Sequence, residues 1–537
     1  MRATTRAAVV VAMTGTALVA AACGSGSGSG NASNEVTVQG CEPQNSLLGG
    51  NTGESCGHDV VQLAHSALFR YDPDSAQPEK DLAESVETTD HQNFTVKIRT
   101  GVKFHDGTDV KAKNFVDAWN YTAYSPNAQY QSSFFEPIEG FADVWTEAKG
   151  ATPPKKEMSG LKVVDDHTFT IKTTAPVSNL PLRLGYTAFA PLPDSFFANP
   201  TEASKKPVGA GPYQIEEYSP NQRIVLRKFD GYGGAAAKGN VDQITFRIYK
   251  DAESAYNDLL AGNIDTTIEI PASSLINKKY ESELNGRFVN APFPAIQTIM
   301  FPPTRVGANY AKPELRKAIS RAIDRDKITR DHFAGTRIPA NGWGAPGVEG
   351  FQEGACGEDC TYDPAKAKQL LAQAGGFNGK LAIGFNGDSS HQAWVEATCN
   401  SIRQALDVDC VPTPTSDFAT FRDLIGKREL PYMFRSGWIA DYPHIENFLT
   451  AQYAKGAAGN DSEYNNPAFD AKLAEAARAT GADSLRLYQE AERLLDADFP
   501  SIPLWYYQAN VGYSEKVTDV KLNKADGRID LLGIKVK

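Results

Sequence analysis

Beyond its first 23 residues, the 537-residue chain has no apolar run long enough to cross a membrane, which excludes an α-helical span from everything downstream. It also has no excess of basic residues. Its 54 Lys and Arg stand against 65 Asp and Glu, a net charge of −11, and this leaves no basic face for general nucleic-acid binding. That acidity does not by itself demand a cationic ligand, because modest net charge aids solubility. The common catalytic signatures are missing. There is no HExxH helix, no GxxxxGK[ST] phosphate loop and no GxSxG elbow, and Gly209-Ala210-Gly211-Pro212 lacks the third glycine of GxGxxG. The eight histidines are scattered, and no CxxC pair occurs, which argues against a metal site. Catalytic triads need not be sequence neighbours, so these gaps weaken the case for an enzyme without closing it. No internal repeat is visible, and an apolar fraction of 41% argues against wholesale disorder.

What is present begins with an export segment. Arg2 and Arg6 supply a positive start, and an apolar stretch runs from Ala7 to Ala22, too short and too rich in small residues for a membrane span. It ends in Ala20-Ala21-Ala22-Cys23, which resembles a bacterial lipobox, although Ala20 stands where Leu is commoner. Residues 1–22 are therefore expected to be removed and Cys23 to carry lipid. The rival reading is an ordinary secretory signal with a cysteine at the cleavage point. Gly24 to Gly30 is pure Gly/Ser, so 23–34 reads as an anchored cysteine and flexible tether. Six further cysteines fall into near neighbours: Cys41 and Cys56, Cys356 and Cys360, Cys399 and Cys410. Disulfides suit an exported chain, and local pairing is the simplest of the possible connectivities.

The body reads as mixed α and β. Phe94–Arg99, His167–Lys172 and Arg223–Arg227 alternate as strands. Pro313–Ile323 has a helical stripe of Leu315, Ala318, Ile319 and Ala322. Asp363-Pro364 opens a second helix that stops at Gly375, and Ser484–Leu495 is a third. Interleaved strands and helices imply α/β units. Breaks are expected at Ala151–Pro154, Ala291–Pro294 and Pro500–Pro503, giving two or three domains.

A set of segments, in order along nearly the whole mature chain, resembles the family 5 extracellular solute-binding proteins of peptide ABC importers. They are Leu68–Pro73 (LFRYDP), Val102–Thr108 (VKFHDGT), Phe115–Trp119 (FVDAW) and Val208–Tyr213 (VGAGPY). Then follow Leu315–Ile328 (LRKAISRAIDRDKI), Tyr362–Gly375 (YDPAKAKQLLAQAG), Gly437–Leu449 (GWIADYPHIENFL), Tyr464–Asp470 and Phe499–Tyr507. Any one is weak alone; the ordered set is specific. Two also have a plain architectural reading. Asp106-Gly107 is a good turn pair, and Leu315–Ile328 reads as an amphipathic helix with most of its charges on a solvated face.

The resemblance implies a two-lobe α/β binding-protein fold with a hinge and an extra subdomain on the N-terminal lobe. Lobe I would comprise 35–70, 187–290 and 504–537, the extra subdomain 71–186, and lobe II 291–503. It implies no enzyme, no cofactor and no metal. The partners would be short peptides, a permease and, indirectly, its ATPase subunits, with the membrane reached only through the lipid anchor. The chain would act as a monomer at the outer face of the cytoplasmic membrane. An Ala-, Gly- and Thr-rich usage with only five Met points to a high-GC, Gram-positive actinobacterial source. Rival cargoes within the family are dipeptides, oligosaccharides, nickel complexes and haem. Rivals of another class are an exported peptidase and a signalling-peptide receptor.

For the site, Arg435–Tyr442 (RSGWIADY) puts a base, a large aromatic and an acid within eight residues. A free peptide is a zwitterion that needs a carboxylate for its α-ammonium and a cation for its C-terminus. By resemblance to the oligopeptide-binding members, Asp441 would pair with the α-ammonium and Trp438 would line the adjoining pocket. Gly437 would leave room for backbone hydrogen bonds, and Arg435 would meet the C-terminal carboxylate at one peptide length. The alternatives are that Asp441 caps a helix or turn and that Arg435 is a surface cation. Tyr130, in the aromatic segment Tyr124–Phe135, is a further candidate that could equally be core. Asn51–Glu54 (NTGE) either approaches the ligand or is simply a loop held by a disulfide. Some oligopeptide relatives carry a cysteine after the site tryptophan, where this chain has Ile439.

Overall fold

The computed structural model describes residues 34–146, 151–387, 391–416, 418–457 and 459–537. The export segment, Cys23 and the Gly/Ser run lie outside the described residues. Three larger sheets carry the chain. The first orders its strands Glu35–Gly40, Gln243–Ile248, Arg223–Lys228, Tyr213–Ser219, the first pair parallel and the rest antiparallel. Its core joins Val36, Val38, Ile244 and Phe246 to Val60 and Val61 of the helix Ser55–Ala64 and to Ile534 near the C-terminus. The second sheet is fully antiparallel, in the order Ala83–Glu87, Asn93–Ile98, Thr168–Lys172, Leu161–Asp165. Alternation in Asn93–Ile98 buries Phe94, Val96 and Ile98 and exposes their neighbours. The buried set packs in one core with Phe115 and Trp119 of the helix Ala112–Ala123.

The third sheet has six strands, in the order Arg337–Pro339, Ser501–Gly512, Phe288–Met300, Met433–Ile439, Leu381–Asn386, Cys410–Thr415. Its two long members pair antiparallel from Phe288 opposite Gly512 to Met300 opposite Ser501. At one end Phe288 packs on Tyr256 and Leu284; at the other Ile296 and Ile299 enter the largest core. The ribbon thus connects separate cores. The segments Ala291–Pro294 and Pro500–Pro503, expected to cross between bodies, fall within the strand Phe288–Met300 and at the start of the strand Ser501–Gly512. Pro294 and Pro503 are tolerated because the register shifts between Phe293 and Ile296 and again where Thr298 meets Pro503, so their missing N–H groups fall at irregularities; Pro292 stays in register opposite Gln508.

Helix prediction succeeded where capping chemistry is local. Asp363 caps Pro364–Ala374 by accepting from the Lys366 N–H at 2.9 Å, and Gly375 ends it at φ 91°. The third predicted helix extends over Gly481–Asp498. Leu315–Ile328 departs from expectation. It is two helices, Pro313–Arg321 and Arg325–Phe333, with Asp324 capping the second. Two of its charges are not solvated. Arg321 is buried against Asp359 at 2.6 Å. Arg325, also buried, donates to the Pro503 carbonyl at 2.8 Å and the Ser320 hydroxyl at 2.7 Å, and burial holds its guanidinium down to about 9. The Pro503 carbonyl comes from a distant strand and leaves no trace in helical periodicity.

Three disulfides join Cys41 to Cys56, Cys356 to Cys360 and Cys399 to Cys410. The first closes a 15-residue separation beside the start of Ser55–Ala64. Replacing both of its cysteines by serine is expected to cost about 3 kcal/mol, read as a lowered urea midpoint with a slope that is the same or steeper, since the unfolded chain is no longer cross-linked. An unchanged midpoint would show that this bond does not constrain the unfolded chain.

Candidate functional site

The strand Met433–Ile439 supplies one wall of a cavity of ≈ 930 Å³. Gly437 lies opposite Gln297, and a side-chain carbon there would stand 2.6 Å from the Ile296 carbonyl oxygen, so glycine lets the strands close. After Ile439 the chain turns into the helix Ile445–Tyr453, whose cap is His444. The His444 Nδ1 accepts from the Glu446 N–H at 3.0 Å, and burial pushes its pKa down to about 4, keeping the ring neutral as that role requires.

Asn447, in the first turn of that helix, ties the site together. Its Oδ1 accepts from Trp438 Nε1 at 2.8 Å and from the Asp441 N–H at 3.0 Å; its Nδ2 donates to Asp441 Oδ2 at 3.0 Å. The indole and the carboxylate are therefore held in fixed relation. Asp441 is not a helix cap. Burial pushes its carboxyl up to about 6, the Asn447 hydrogen bond opposes the shift, and nearby Glu446 adds to it. Among the described residues no Lys, Arg or His forms an ion pair with it.

Arg435 begins the same stretch. Its Nε donates to Asn386 Oδ1 at 2.8 Å, and its guanidinium lies 5.4 Å from the Phe418 ring and 5.3 Å from the Phe421 ring. Arg422, paired with Asp461 at 3.0 Å, lines the same part of the cavity. Arg435 is thus half-buried in the cavity wall, not a surface cation. Across the cavity, Tyr130 is 67% exposed, which removes it from the core. Its ring covers Gly53, where an added side-chain carbon would meet it at 2.2 Å, and its N–H donates to Asn51 Oδ1 at 3.3 Å. The structure therefore brings Tyr130 and Asn51–Glu54 together. Glu54 also caps Ser55–Ala64, accepting from the Cys56 and Gly57 N–H groups.

Sequence reasoning missed several lining residues. Asn447 sits six positions past Asp441 and carried a usable signal, an amide at the start of the following helix. Phe421 and Asp526 come from remote segments and carried none, as did Asn386, which holds Arg435. A buried ion pair was missed too. Arg183 meets Glu446 at 3.0 Å, its guanidinium lies 5.5 Å from the Tyr442 ring, and Asn179 donates to Glu446 Oε2 at 3.3 Å. Burial alone would raise the Glu446 carboxyl, but Arg183 and the Tyr442 hydroxyl outweigh it and hold the group below its ordinary value.

One end of the cavity thus offers a desolvated carboxylate beside an indole, and the other offers guanidinium groups beside phenyl rings. No described His, Cys, Asp or Glu residues are grouped to hold a metal ion. The model of the bacterial extracellular solute-binding proteins, family 5 Middle, matches residues 77–460. The chain belongs to this family. Its family 5 relatives include the periplasmic oligopeptide-binding protein OppA of Escherichia coli, 26% identical over 442 residues, covering 80% of this chain and 79% of that protein. Heme-binding protein A of Haemophilus influenzae is 26% identical over 489 residues, covering 86% and 84%. Among solved structures, OppA of Burkholderia pseudomallei aligns with a TM-score of 0.79 at 23% identity, covering 94% of this chain and 99% of that one. The fold is the two-lobe α/β fold of family 5 binding proteins.

Proposed function

We propose that this chain is the substrate-binding component of an ABC importer, which captures oligopeptides outside the cell and delivers them to a permease. One observation carries the reading: Asp441, a half-buried carboxylate with no ion-pair partner among the described residues, lines a ≈ 930 Å³ cavity that also holds Arg435. Keeping such a carboxylate charged in an empty cavity costs free energy, and a peptide α-ammonium offsets that cost. Arg435 lies on the strand and Asp441 in the turn that follows it, six positions on, so roughly 20 Å is the upper bound on their backbone separation. Shortened by the reach of both side chains, that suits peptides of roughly three to five residues. Backbone hydrogen bonding along the strand is indifferent to side-chain identity, so many sequences fit.

The lobe boundaries expected from sequence, with hinge closure about the long ribbon, complete the proposal. So does export as a lipoprotein through Cys23, placing the monomeric chain on the outer face of an actinobacterial membrane. Affinity is expected near the micromolar range, about −8 kcal/mol. The experiment is to purify the soluble body without added ligand, denature it, and identify what is released by mass spectrometry. Intact short peptides support the proposal. Recovered haem, sugar or a metal chelate would overturn the cargo and keep the family, and steady cleavage of added peptide would reveal a peptidase.

A further inference from the structure

We infer that Asp526 makes this site selective for peptides with a cationic side chain on one of their first two residues; the inference rests on the peptide reading above. Asp526 lines the same cavity as Asp441 but comes from the C-terminal segment. It sits in a tight turn closed by the Gly527 N–H on the Asn523 carbonyl and the Asn523 N–H on the Arg528 carbonyl, both 2.7 Å. The turn cannot shift easily. Gly527 has φ 69°, and a side-chain carbon there would stand 2.4 Å from the Phe293 ring.

Asp526 Oδ1 accepts from the Arg528 N–H at 3.0 Å, and its other oxygen has no hydrogen-bond partner among the described residues. The nearest cation is already engaged: Arg528 pairs with Asp59 at 2.8 Å, and both side chains are largely buried. Asp59 and Asp526 thus share one guanidinium, which leaves one negative charge in surplus, and burial raises the Asp526 carboxyl despite Arg528. The Tyr71 hydroxyl, fixed on the Leu182 carbonyl at 3.0 Å, feels both Asp441 and Asp526. The Asp526–Gly527 turn packs on Phe293 and Pro294, and the Pro294 carbonyl accepts from the Ala440 N–H at 2.9 Å, so Asp526 and Asp441 line the same end of the cavity. A zwitterionic peptide brings a single ammonium to that end, which Asp441 takes, and Asp526 remains uncompensated. A Lys or Arg side chain near the peptide amino end supplies the second cation, with its long stem lying along the cavity wall.

The test is calorimetry on the wild type, Asp526→Asn and Asp526→Glu, using tetra-alanine and its four single-lysine variants. Lysine at position one or two is expected to tighten wild-type binding about tenfold over tetra-alanine, and lysine at position three or four is not. Asp526→Asn should erase that advantage, so that the lysine variants bind no more tightly than tetra-alanine to the same variant, while Asp526→Glu should retain it. Equal gain at every lysine position, no gain at all, or a gain that survives Asp526→Asn overturns the inference. If no tetrapeptide binds to folded wild type, the peptide reading itself has failed, a result distinct from loss of selectivity alone.

Discussion

Asp441→Asn is expected to weaken peptide binding by about a hundredfold or more at neutral pH, because the variant leaves the buried α-ammonium without its counter-charge. Calorimetry with a peptide recovered from the protein measures it directly, and unchanged affinity would remove Asp441 from the ammonium role. The same substitution should not harm the empty protein. The folded carboxyl titrates at about 6, above its ordinary 3.8, so the native state holds this proton more tightly than the unfolded chain. Wild-type stability therefore falls as pH rises from about 4 to 6, and the amide escapes that loss. Above pH 6 the empty variant should be more stable than wild type by about 1–3 kcal/mol, and below pH 4 the gain should vanish. Peptide binding has the opposite sign. It needs the ionised form, so affinity is full above pH 6 and falls about tenfold per unit below it. His58, held by burial at about 3, stays neutral across that window, and His444, at about 4, begins to charge only at its lower edge. Asp526 titrates at about 6 as well, so the slope due to Asp441 is the part that disappears in Asp441→Asn.

Breaking the buried pair Arg183–Glu446 from one side should destabilise the protein by about 3–5 kcal/mol, since the surviving charge has no partner and little water. Glu446→Gln and Arg183→Met each test this by urea unfolding. Replacing both, as Arg183→Met with Glu446→Leu, should recover most of the loss, because desolvation had offset most of the attraction between the charges. The pair also ties Asn179–Arg183 to the Tyr442–Glu446 turn, next to a backbone bond from the Ser178 N–H to the Ala477 carbonyl at 3.0 Å. Its sensitivity to acid follows from the depressed Glu446 carboxyl: the stabilisation is complete above the ordinary carboxylate value and is lost as pH falls through the lower folded one. Single variants that unfold like wild type would show that water reaches this pair freely.

The sequence carried much of the fold because its signals are local. The alternation in Phe94–Arg99, the Asp363 cap with its Gly375 stop, and the Asp106-Gly107 turn each depend on residues a few positions apart, and each appears where expected. The stretch from Arg435 to Asp441 was legible for the same reason: cation, glycine, indole and carboxylate lie on one strand and its following turn. The Leu315–Ile328 segment misled because a buried arginine that bonds a distant carbonyl has the same periodicity as a solvated one. By itself, then, the sequence determined the elements, the family resemblance and the carboxylate–indole pair. Only the tertiary structure decided which charges are neutralised. Asn447 orients Asp441, Asp59 occupies Arg528, Glu446 occupies Arg183, and Asp526 is left over. Whether a charge is paired depends on contacts within a few ångströms and on the exclusion of water, and folding sets both between residues that sequence keeps far apart.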